Sequence, residues 1–194
     1  MADAFSSAQR YKLGRAIVLA PHSPTWAEAF DREASAIVDV LSGLSLELHH
    51  IGSTAIPGIV AKPVIDMLGI VPTLEGLDAR THRLTMLGYE ALGEFGIPGR
   101  RYFRKNAPDG TRTHQLHAFA AGSPEIQRHL DFRDYLRAFP AEAAAYAALK
   151  EGLAQRCGGD MGAYTEGKTE FIRAVERRAS TWRQRAGRAS AWCS

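Results

Sequence analysis

The alternation of apolar and polar positions predicts strands across the first two thirds of the chain. Residues 44–51 alternate with a period of two, which is typical of a strand with one buried face. Residues 63–71 are apolar on both faces, as expected of a central buried strand. An Asp109-Gly110 pair favours a hairpin turn between two further strands. The shorter strands are predicted at residues 16–19, 89–92, 101–106 and 113–119.

Apolar positions at helical spacing predict the other elements. The first helix begins near Trp26, where Ser23 or Thr25 can cap it, and ends before Gly43. Strands in succession followed by helices indicate an α+β, or mixed α/β, protein. It has a small mixed or antiparallel sheet flanked by helices, and its C-terminal half is helical. The later helices are predicted at residues 74–87, 125–139, 140–156 and 162–183.

The length of the chain, 194 residues, fits one domain. We expect this domain to cover residues 1–183. Its sheet-containing part spans about residues 14–120 and its helical part about residues 123–183. Residues 184–194 are expected to form a disordered tail.

Composition narrows the functional classes. The chain has 45% hydrophobic residues, as is ordinary for a globular protein. Its net charge of +3 is compatible with the binding of small anions but is too low to predict nucleic-acid binding. Its two cysteines, Cys157 and Cys193, lack CxxC spacing, which argues against a disulfide scaffold or structural zinc and favours a reducing compartment. No apolar run approaches about 18 residues. We therefore expect a cytoplasmic protein without a membrane partner, either a monomer or a homodimer.

The sharpest functional signal is one carboxylate, Asp66, within the apolar strand at residues 63–71. A buried acid costs free energy unless charge, metal or hydrogen bonds compensate it, so Asp66 is a candidate catalytic residue or metal ligand. Backbone amides that satisfy it are the purely structural alternative. Upstream, Gly52-Ser53-Thr54 ends the preceding strand and offers N–H groups and hydroxyls to an anion. We expect the chain to reverse after this turn and to bring Asp66 beside the first strand.

Two pairs of histidines form a second group of candidates. His49 and His50 must point to opposite faces of their strand, and strand geometry likewise separates His114 from His117. One histidine of each pair could meet the other across neighbouring strands beside Asp66. We take His50 and His117 as the candidates, although no spacing of a recognised metal site is present.

Basic side chains supply candidates for binding phosphate or carboxylate groups. Tyr146 and Lys150 are one helical turn apart, as are Tyr164 and Lys168. Such pairs on the inner faces of two helices would suit an anion. The alternative is that these lysines lay their aliphatic stems along the protein surface and extend their ammonium groups into solvent, which would give the same pattern. The other basic candidates are Lys62 and Arg104.

Six blocks follow one another along the chain: HIGSTAIPG, AKPVIDM, THQLHAF, FRDYLRAFP, EAAAYAALK and YTEGKTEFI. With these blocks the chain, from about residue 17 to residue 175, resembles the GrpB family of bacterial proteins, the UPF0157 group. That family is similar to the nucleotidyltransferase superfamily, whose polymerase-β-like fold holds a triphosphate at a Gly-Ser turn and divalent metal on carboxylates of adjacent strands. The resemblance implies that Gly52-Ser53 is the phosphate-side turn and that Asp66 is the first carboxylate.

The chain departs from the superfamily pattern at the second acid. The position two residues after Asp66 holds Leu68, and the equivalent of the third acid is Gln115 or His117. One Asp with a histidine is a poor ligand set for two metal ions, and a lone carboxylate holds Mg²⁺ weakly. We therefore expect weak Mg²⁺ binding at most, in a divergent nucleotidyltransferase-like transferase or a former enzyme.

Three functions remain open at this point. The first is the binding of a nucleotide or another phosphate-bearing small molecule by the Gly-Ser turn, Asp66 and the basic candidates. The second is metal-independent acid–base chemistry on a small polar metabolite by Asp66 with His117 or His50. The third is a non-catalytic ligand-sensing or partner-binding module that uses the helical half and has a closed pocket.

Overall fold

The computed structural model describes residues 17–191, with side chains up to residue 185. In this part of the chain one five-stranded sheet is surrounded by helices. The strands are β1 Glu47–Ile51, β2 Ile65–Val71, β3 Tyr89–Ala91, β4 Arg100–Asn106 and β5 Arg112–Ala120. The helices are α1 Thr25–Val40, α2 Leu74–Asp78, α3 Thr81–Met86, α4 Pro124–Ala138, α5 Pro140–Arg156, α6 Met161–Glu166 and α7 Thr169–Ala191, and a short 3₁₀ helix, Ser53–Ala55, follows β1.

The sheet is mixed and has the strand order β1-β2-β5-β4-β3. β2 is antiparallel to β1 and parallel to β5, and β4 is antiparallel to both β5 and β3. A parallel pair needs a long connection, which α2, α3 and the β3–β4 hairpin provide here. Asp66 and Gln115 are register partners across this parallel pair. The predicted α+β class with a small mixed sheet is confirmed, and β2 returns beside β1 as expected.

The two faces of the sheet bury separate apolar clusters. On one face, α1, α2 and α3 cover a cluster that includes Ile37, Met67 and Leu116. On the other face, α4 covers a cluster that includes Leu68 and Phe119. Successive residues of a strand point to opposite faces, so Met67 and Leu68 belong to different layers. The Asp66 face of β2 is therefore the face toward α4.

The C-terminal helices form a further apolar core of their own. Val175 and Ala179 of α7 are completely buried against Tyr146 and other residues of α4 and α5. The corner between α6 and α7 approaches α5 closely, because a Cβ added at Gly167 would lie 2.5 Å from a methyl carbon of Leu153. A larger residue there would require the Leu153 side chain to shift, and the close contact places the start of α7 against α5.

Two arginines of α4 connect the helical half to the strand-turn segment after β1. Arg133 donates a hydrogen bond to the backbone oxygen of His50 at 3.1 Å. Arg137 donates to the backbone oxygen of Ala55 at 2.8 Å. These bonds satisfy carbonyl groups where the chain leaves the sheet, and they fix α4 relative to the Gly-Ser turn.

The helix predicted at residues 74–87 is wrong as a single element, because the structure has α2 and α3 instead. The break lies at Ala79 and Arg80. The Arg80 side chain donates to the carbonyl oxygens of Gly76 and Gly43, which satisfies acceptors near the end of α2 and in the preceding loop. A side chain that caps carbonyls from a distant loop leaves no periodic signal in the sequence.

Both ends of the predicted domain also differ from the structure. The strand predicted at residues 16–19 is reduced to a single bridge between Ala20 and Ala61, and residue 16 lies outside the described residues. At the other end, α7 continues to Ala191, so residues 184–191 are helical and do not form the predicted tail. Residues 192–194 lie outside the described residues. No helix within residues 17–191 combines the length and apolar character needed to cross a membrane.

Candidate functional site

A cavity of about 360 Å³ opens between the Asp66 face of the sheet and the helices α4 to α7. This volume lies at the lower end of the range of about 300–1,000 Å³ that is typical of small-molecule pockets. Most residues singled out from the sequence line this one cavity. They are Gly52, Ser53, Thr54, Lys62, Asp66, Gln115, His117, Tyr146, Lys150, Tyr164 and Lys168.

Gly52 and Asp66 form the closest approach in the wall of the cavity. Ile51 and Asp66 are register partners, so Gly52 passes directly beside the carboxylate as the chain leaves β1. Gly52 has φ 70° and ψ −170°, a conformation that is essentially restricted to glycine. A Cβ at this position would lie 2.4 Å from Asp66 Oδ2. Residue 52 must therefore be glycine for both conformational and steric reasons.

The Asp66 carboxyl is held in a low-polarity environment next to positive charge. Burial raises its pKa from the ordinary 3.8 to about 6, and the fields of Lys62 and Lys168 oppose this rise. Because 29% of its side chain remains exposed, the carboxyl is accessible from the cavity. Asp66 can therefore accept or donate a proton near neutral pH.

His117 is oriented by a buried arginine from the neighbouring strand. Arg100 donates a hydrogen bond to His117 Nδ1 at 3.2 Å, while its other nitrogens donate to the backbone oxygens of Glu94 and Phe95. An arginine only donates, so Nδ1 is the acceptor and the ring proton of neutral His117 is on Nε2. Nε2 faces Asp66 Oδ1 at 4.0 Å.

Electrostatics keep His117 in this neutral form. Burial, followed by the fields of His129, Arg100 and Arg128, holds the pKa of His117 well below its ordinary 6.5. A neutral His117 with its proton on Nε2 can donate a hydrogen bond toward the cavity. It does not offer a free basic nitrogen there, which limits its predicted role in acid–base chemistry.

Two lysines meet on the ring of one tyrosine. The ammonium nitrogen of Lys168 lies 4.5 Å from the centre of the Tyr164 ring, and that of Lys62 lies 5.6 Å from it. Burial and the neighbouring Lys62 lower the pKa of Lys168 to about 8, with Asp66 opposing. Burial also lowers the pKa of Lys62, again with Asp66 opposing.

Lys150 adds a third ammonium group deeper in the wall. Only 2% of this residue is exposed, and Lys150 donates a hydrogen bond to the backbone oxygen of Val60. Its nitrogen lies 4.7 Å from the centre of the Tyr146 ring. Burial and the field of Lys168 lower the pKa of Lys150 to about 7. The hydroxyl of Tyr146 lies near the Ser53 side chain, so α5 and the Gly-Ser turn meet at this wall of the cavity.

The charges around the cavity are not balanced within the protein. No salt bridge joins Lys62, Lys150 or Lys168 to a carboxylate within residues 17–185. At the far side of the cavity, by contrast, Arg128 is paired with two glutamates. The excess positive charge is therefore concentrated around the Tyr164 ring, with Asp66 as the nearest acid.

Comparisons with known proteins agree with the motifs in the sequence. The family model described as "GrpB protein" matches residues 16–178. The chain belongs to the GrpB family. The UPF0157 protein YqkA of Bacillus subtilis is 41% identical over 88% of this chain, and the chain spans about half (49%) of that relative's length.

Solved structures support the same assignment. A crystal structure of the conserved protein GrpB from Enterococcus faecalis has a TM-score of 0.79 and 41% identity, over 85% of this chain and 99% of that one. The Cid1 poly(U) polymerase with magnesium and 3′-dATP bound has a TM-score of 0.50 and 14% identity, over 70% of this chain and 43% of that one. The GrpB fold of this chain is thus similar to a nucleotidyltransferase fold, as the resemblance implied.

Three titratable residues of the GrpB cavity were missed by the sequence reasoning. Arg128 and His129 of α4 line it beside His117, and Glu176 of α7 lines it in an ion pair with Arg128. The spacing of Lys168, Ile172 and Glu176 by four residues each is a signal that could have found Glu176. The remaining lining residues are Ile51, Val64, Phe132, Thr165 and Ile172.

Two predicted residues do not line the cavity. The His50 ring lies on the α1 face of the sheet and stacks on Phe30 at 5.0 Å, since its neighbour His49 occupies the opposite face. Arg104 forms an ion pair with Glu90 of β3 across the hairpin. The expectations that His50 and Arg104 contact a ligand are therefore not met by their placement.

Thr54 lines the cavity, but its hydroxyl is already used. It donates to the backbone oxygen of Val64 at 3.2 Å and so accepts from His50 Nε2 at 2.9 Å. Burial, then Arg137 and Arg133, lower the pKa of His50 to about 4, which keeps the ring neutral for this bond. The side chains of Thr54 and His50 therefore hold the turn in place and leave ligand contact to Gly52 and Ser53.

The donor set of the cavity does not fit the divalent metal centre of the nucleotidyltransferase fold. Leu68 stands where a second acid would follow Asp66, and it is completely buried in the cluster beneath α4. Across the parallel pair, Gln115 supplies an amide in place of a carboxylate. No group of three or more His, Cys, Asp or Glu side chains suited to a metal ion is found in the described part of the chain. One carboxylate beside two lysines is a poor set of ligands for Mg²⁺.

Proposed function

We propose that this cavity binds a nucleotide or another phosphate-bearing small anion. The observation that carries the proposal is a cluster of three lysines, one buried and two half-buried, that form no salt bridge with a carboxylate in the described part of the chain. Lys62, Lys150 and Lys168 all line the cavity, and Asp66 is the acid whose charge acts on Lys62 and Lys168. Buried ammonium groups are costly unless an opposite charge compensates them. An anionic ligand supplies that charge.

The lowered pKa values of the lysines support the same proposal. The pKa of Lys150 is about 7 and that of Lys168 about 8, so both groups are held away from the charged state that water would favour. A phosphate group between them would reverse this effect, because an opposite charge within a few ångströms favours the charged form.

The other walls of the cavity suit the orientation of such a ligand. The Ser53 hydroxyl lies at the entrance to the turn, where Tyr146 contacts it. His117 presents its Nε2 proton from β5, and Gln115 presents an amide from the same strand. These neutral polar groups can bind a sugar hydroxyl or a base edge without adding charge. The lysines would then bind the phosphate groups.

The proposal is tested by titration calorimetry with ATP, GTP, CTP and UTP, each with and without magnesium. We expect binding of at least one nucleotide, and we expect Lys168→Gln to weaken it by roughly tenfold, the value of one hydrogen bond to a charged group. The matched control is Arg32→Gln, which removes a positive charge from an exposed position on α1. A folded sample that gives no heat with any of the nucleotides would refute the proposal.

A second candidate function is acid–base chemistry on the bound molecule. It is favoured by the pKa of about 6 for Asp66 and by the 4.0 Å approach of His117 Nε2 to its carboxylate. In this arrangement Asp66 would exchange the proton, and His117 would donate a hydrogen bond to the substrate. Turnover that survives EDTA and is lost in Asp66→Asn would support it. Unchanged turnover in both Asp66→Asn and His117→Ala would rule it out.

The third function, a module with a closed pocket, has less support. The cavity is open enough to take a small molecule, and its polar walls come from both halves of the chain. A non-catalytic ligand sensor with an open pocket is a variant of the binding function proposed here. The nucleotide titrations test it equally.

A further inference from the structure

We propose that the cavity binds its phosphate ligand free of divalent metal, with Lys62 and Lys168 supplying the positive charge that a metal ion supplies in other proteins of this fold. This inference rests on the proposed function and specifies the ionic form of the ligand. It predicts that the preferred ligand is a multiply charged, metal-free phosphate.

The first argument is that rearranging side chains cannot complete a metal site here. Leu68 has no exposed surface and packs with Ile51 and Phe119 beneath α4. An acid at that position would be sealed in an apolar layer away from the cavity. Gln115, the register partner of Asp66, offers one neutral oxygen. Asp66 is thus the one carboxylate that β2 and β5 present to the cavity, and the other carboxylate in its lining, Glu176, is paired with Arg128.

The second argument concerns the electric field at that carboxylate. Lys62 and Lys168 both favour the ionised form of Asp66, which means that they create a positive potential at its oxygens. The same potential repels a divalent cation placed there and attracts a phosphate placed nearby. The ammonium groups of Lys62 and Lys168 therefore supply the positive potential that a metal ion would supply beside Asp66.

The third argument is the geometry of the two ammonium groups. Both contact the Tyr164 ring, at 4.5 Å for Lys168 and 5.6 Å for Lys62. Tyr164 has only 1% of its surface exposed, so the ring is a fixed support for the two flexible stems. Two separated positive charges match a ligand with two or more separated negative oxygens. A phosphate that is bound to a metal ion has a smaller net negative charge, so it matches the two ammonium groups less well.

The experiment is a calorimetric titration of inorganic tripolyphosphate at pH 7 and constant ionic strength. One series contains EDTA, and the others contain increasing free Mg²⁺. We expect the apparent Kd to rise several-fold as Mg²⁺ complexes the tripolyphosphate, so that binding follows the concentration of the metal-free form. An affinity that is unchanged or increased by Mg²⁺ would overturn the inference.

Two variants separate the charge roles of the residues. In EDTA, Lys168→Gln is expected to weaken tripolyphosphate binding by roughly tenfold. Asp66→Asn is expected to strengthen it, because the variant removes a negative charge beside the ligand. Glu28→Gln, at an exposed position on α1, is the matched control for loss of a carboxylate. If Asp66→Asn abolishes binding while the protein stays folded, the carboxylate is required, as for a metal-bridged ligand, and the inference fails.

The outcomes distinguish this inference from the function on which it rests. If neither tripolyphosphate nor any nucleotide binds, with or without Mg²⁺, the proposed function is refuted and the inference with it. If a ligand binds only in the presence of Mg²⁺, phosphate binding stands and the metal-free mode alone is refuted. Binding that is strongest in EDTA and depends on Lys168 supports both.

Discussion

Replacing Asp66 by asparagine is expected to stabilise the folded protein at neutral pH. The carboxyl is held in a wall of low polarity, where burial raises its pKa despite the nearby lysines. Asparagine has nearly the same shape and carries no charge to desolvate. The variant therefore removes a cost of folding without opening a cavity in the wall.

The magnitude follows from the pKa of the carboxyl. Unfolded, Asp66 ionises with an ordinary pKa of 3.8, whereas the folded protein ionises it only at about 6. Between these values the folded state binds a proton that the unfolded state has released, so stability falls as pH rises. The difference corresponds to at most about 3 kcal/mol at pH 7, since each pKa unit is about 1.4 kcal/mol. Contact of the carboxyl with cavity water reduces this, and we expect about 1–3 kcal/mol.

The assay is urea unfolding of the parent protein and Asp66→Asn at pH 7 and at pH 4 or slightly below. The free energy gained by the variant should be largest at pH 7 and should nearly vanish at the lower pH. Asp134→Asn is a control with the opposite sign: although burial opposes it, hydrogen bonds from Arg133 and Arg183 lower the pKa of Asp134. If Asp66→Asn shows the same free-energy difference at both pH values, or is less stable at pH 7, the reasoning about Asp66 is refuted.

Three further predictions concern the rest of the site. Gly52→Ala places a Cβ 2.4 Å from the neighbouring carboxylate oxygen, in a backbone conformation that is essentially restricted to glycine. The variant should lose at least about 1–3 kcal/mol of unfolding free energy, measured with urea, and should no longer bind ligand. A stable variant that still binds would contradict this. At pH 8, Lys150 is roughly 10% protonated and Lys168 roughly 50% protonated. Binding of an anion should therefore be accompanied by the uptake of roughly one proton, which is measured as a dependence of the binding enthalpy on the buffer. Release of protons on binding would contradict this. Nitrogen-15 spectra should show neutral His117 protonated at Nε2 alone at pH 7 and a mixture of tautomers in Arg100→Met; a parent protein protonated at Nδ1 would show that the arginine does not set the tautomer.

The strand-turn-strand part of the site could be predicted from the sequence because its determinants are local. Period-two alternation ends at Gly52, a turn follows, and the next apolar run carries one acid, Asp66. The Tyr146/Lys150 pair, one turn apart, likewise placed Lys150 on an inner face of α5. Lys168 lies instead in the turn between α6 and α7, so the single helix predicted at residues 162–183 is wrong there. Each of these signals depends on residues within a few positions of one another. Hydrophobic burial alone then brings the segments together.

The parts that could not be predicted depend on contacts between distant segments. Helix α4 packs against the sheet on one side and forms an ion pair with α7 on another, so its polar residues are not confined to one face. The sequence pattern therefore does not show that Arg128 faces the cavity. The sequence predicts a ligand contact for Arg104, because the pairing of Arg104 with Glu90 across the β3–β4 hairpin leaves no signal in the residue pattern. The histidine that enters the site, His117, is selected by the register of β5 against β2 and by the reach of Arg100.

The positive charge of the cavity exists only in the assembled fold. Lys62 lies before β2, Lys150 on α5 and Lys168 in the turn before α7, so no short segment of the chain contains the site. In the unfolded chain these ammonium groups are hydrated and far apart, and they share no affinity for one anion. A ligand that bridges them binds the native state alone, and its binding free energy adds to the stability of the whole domain. The stability of the domain would then rise with the concentration of that ligand.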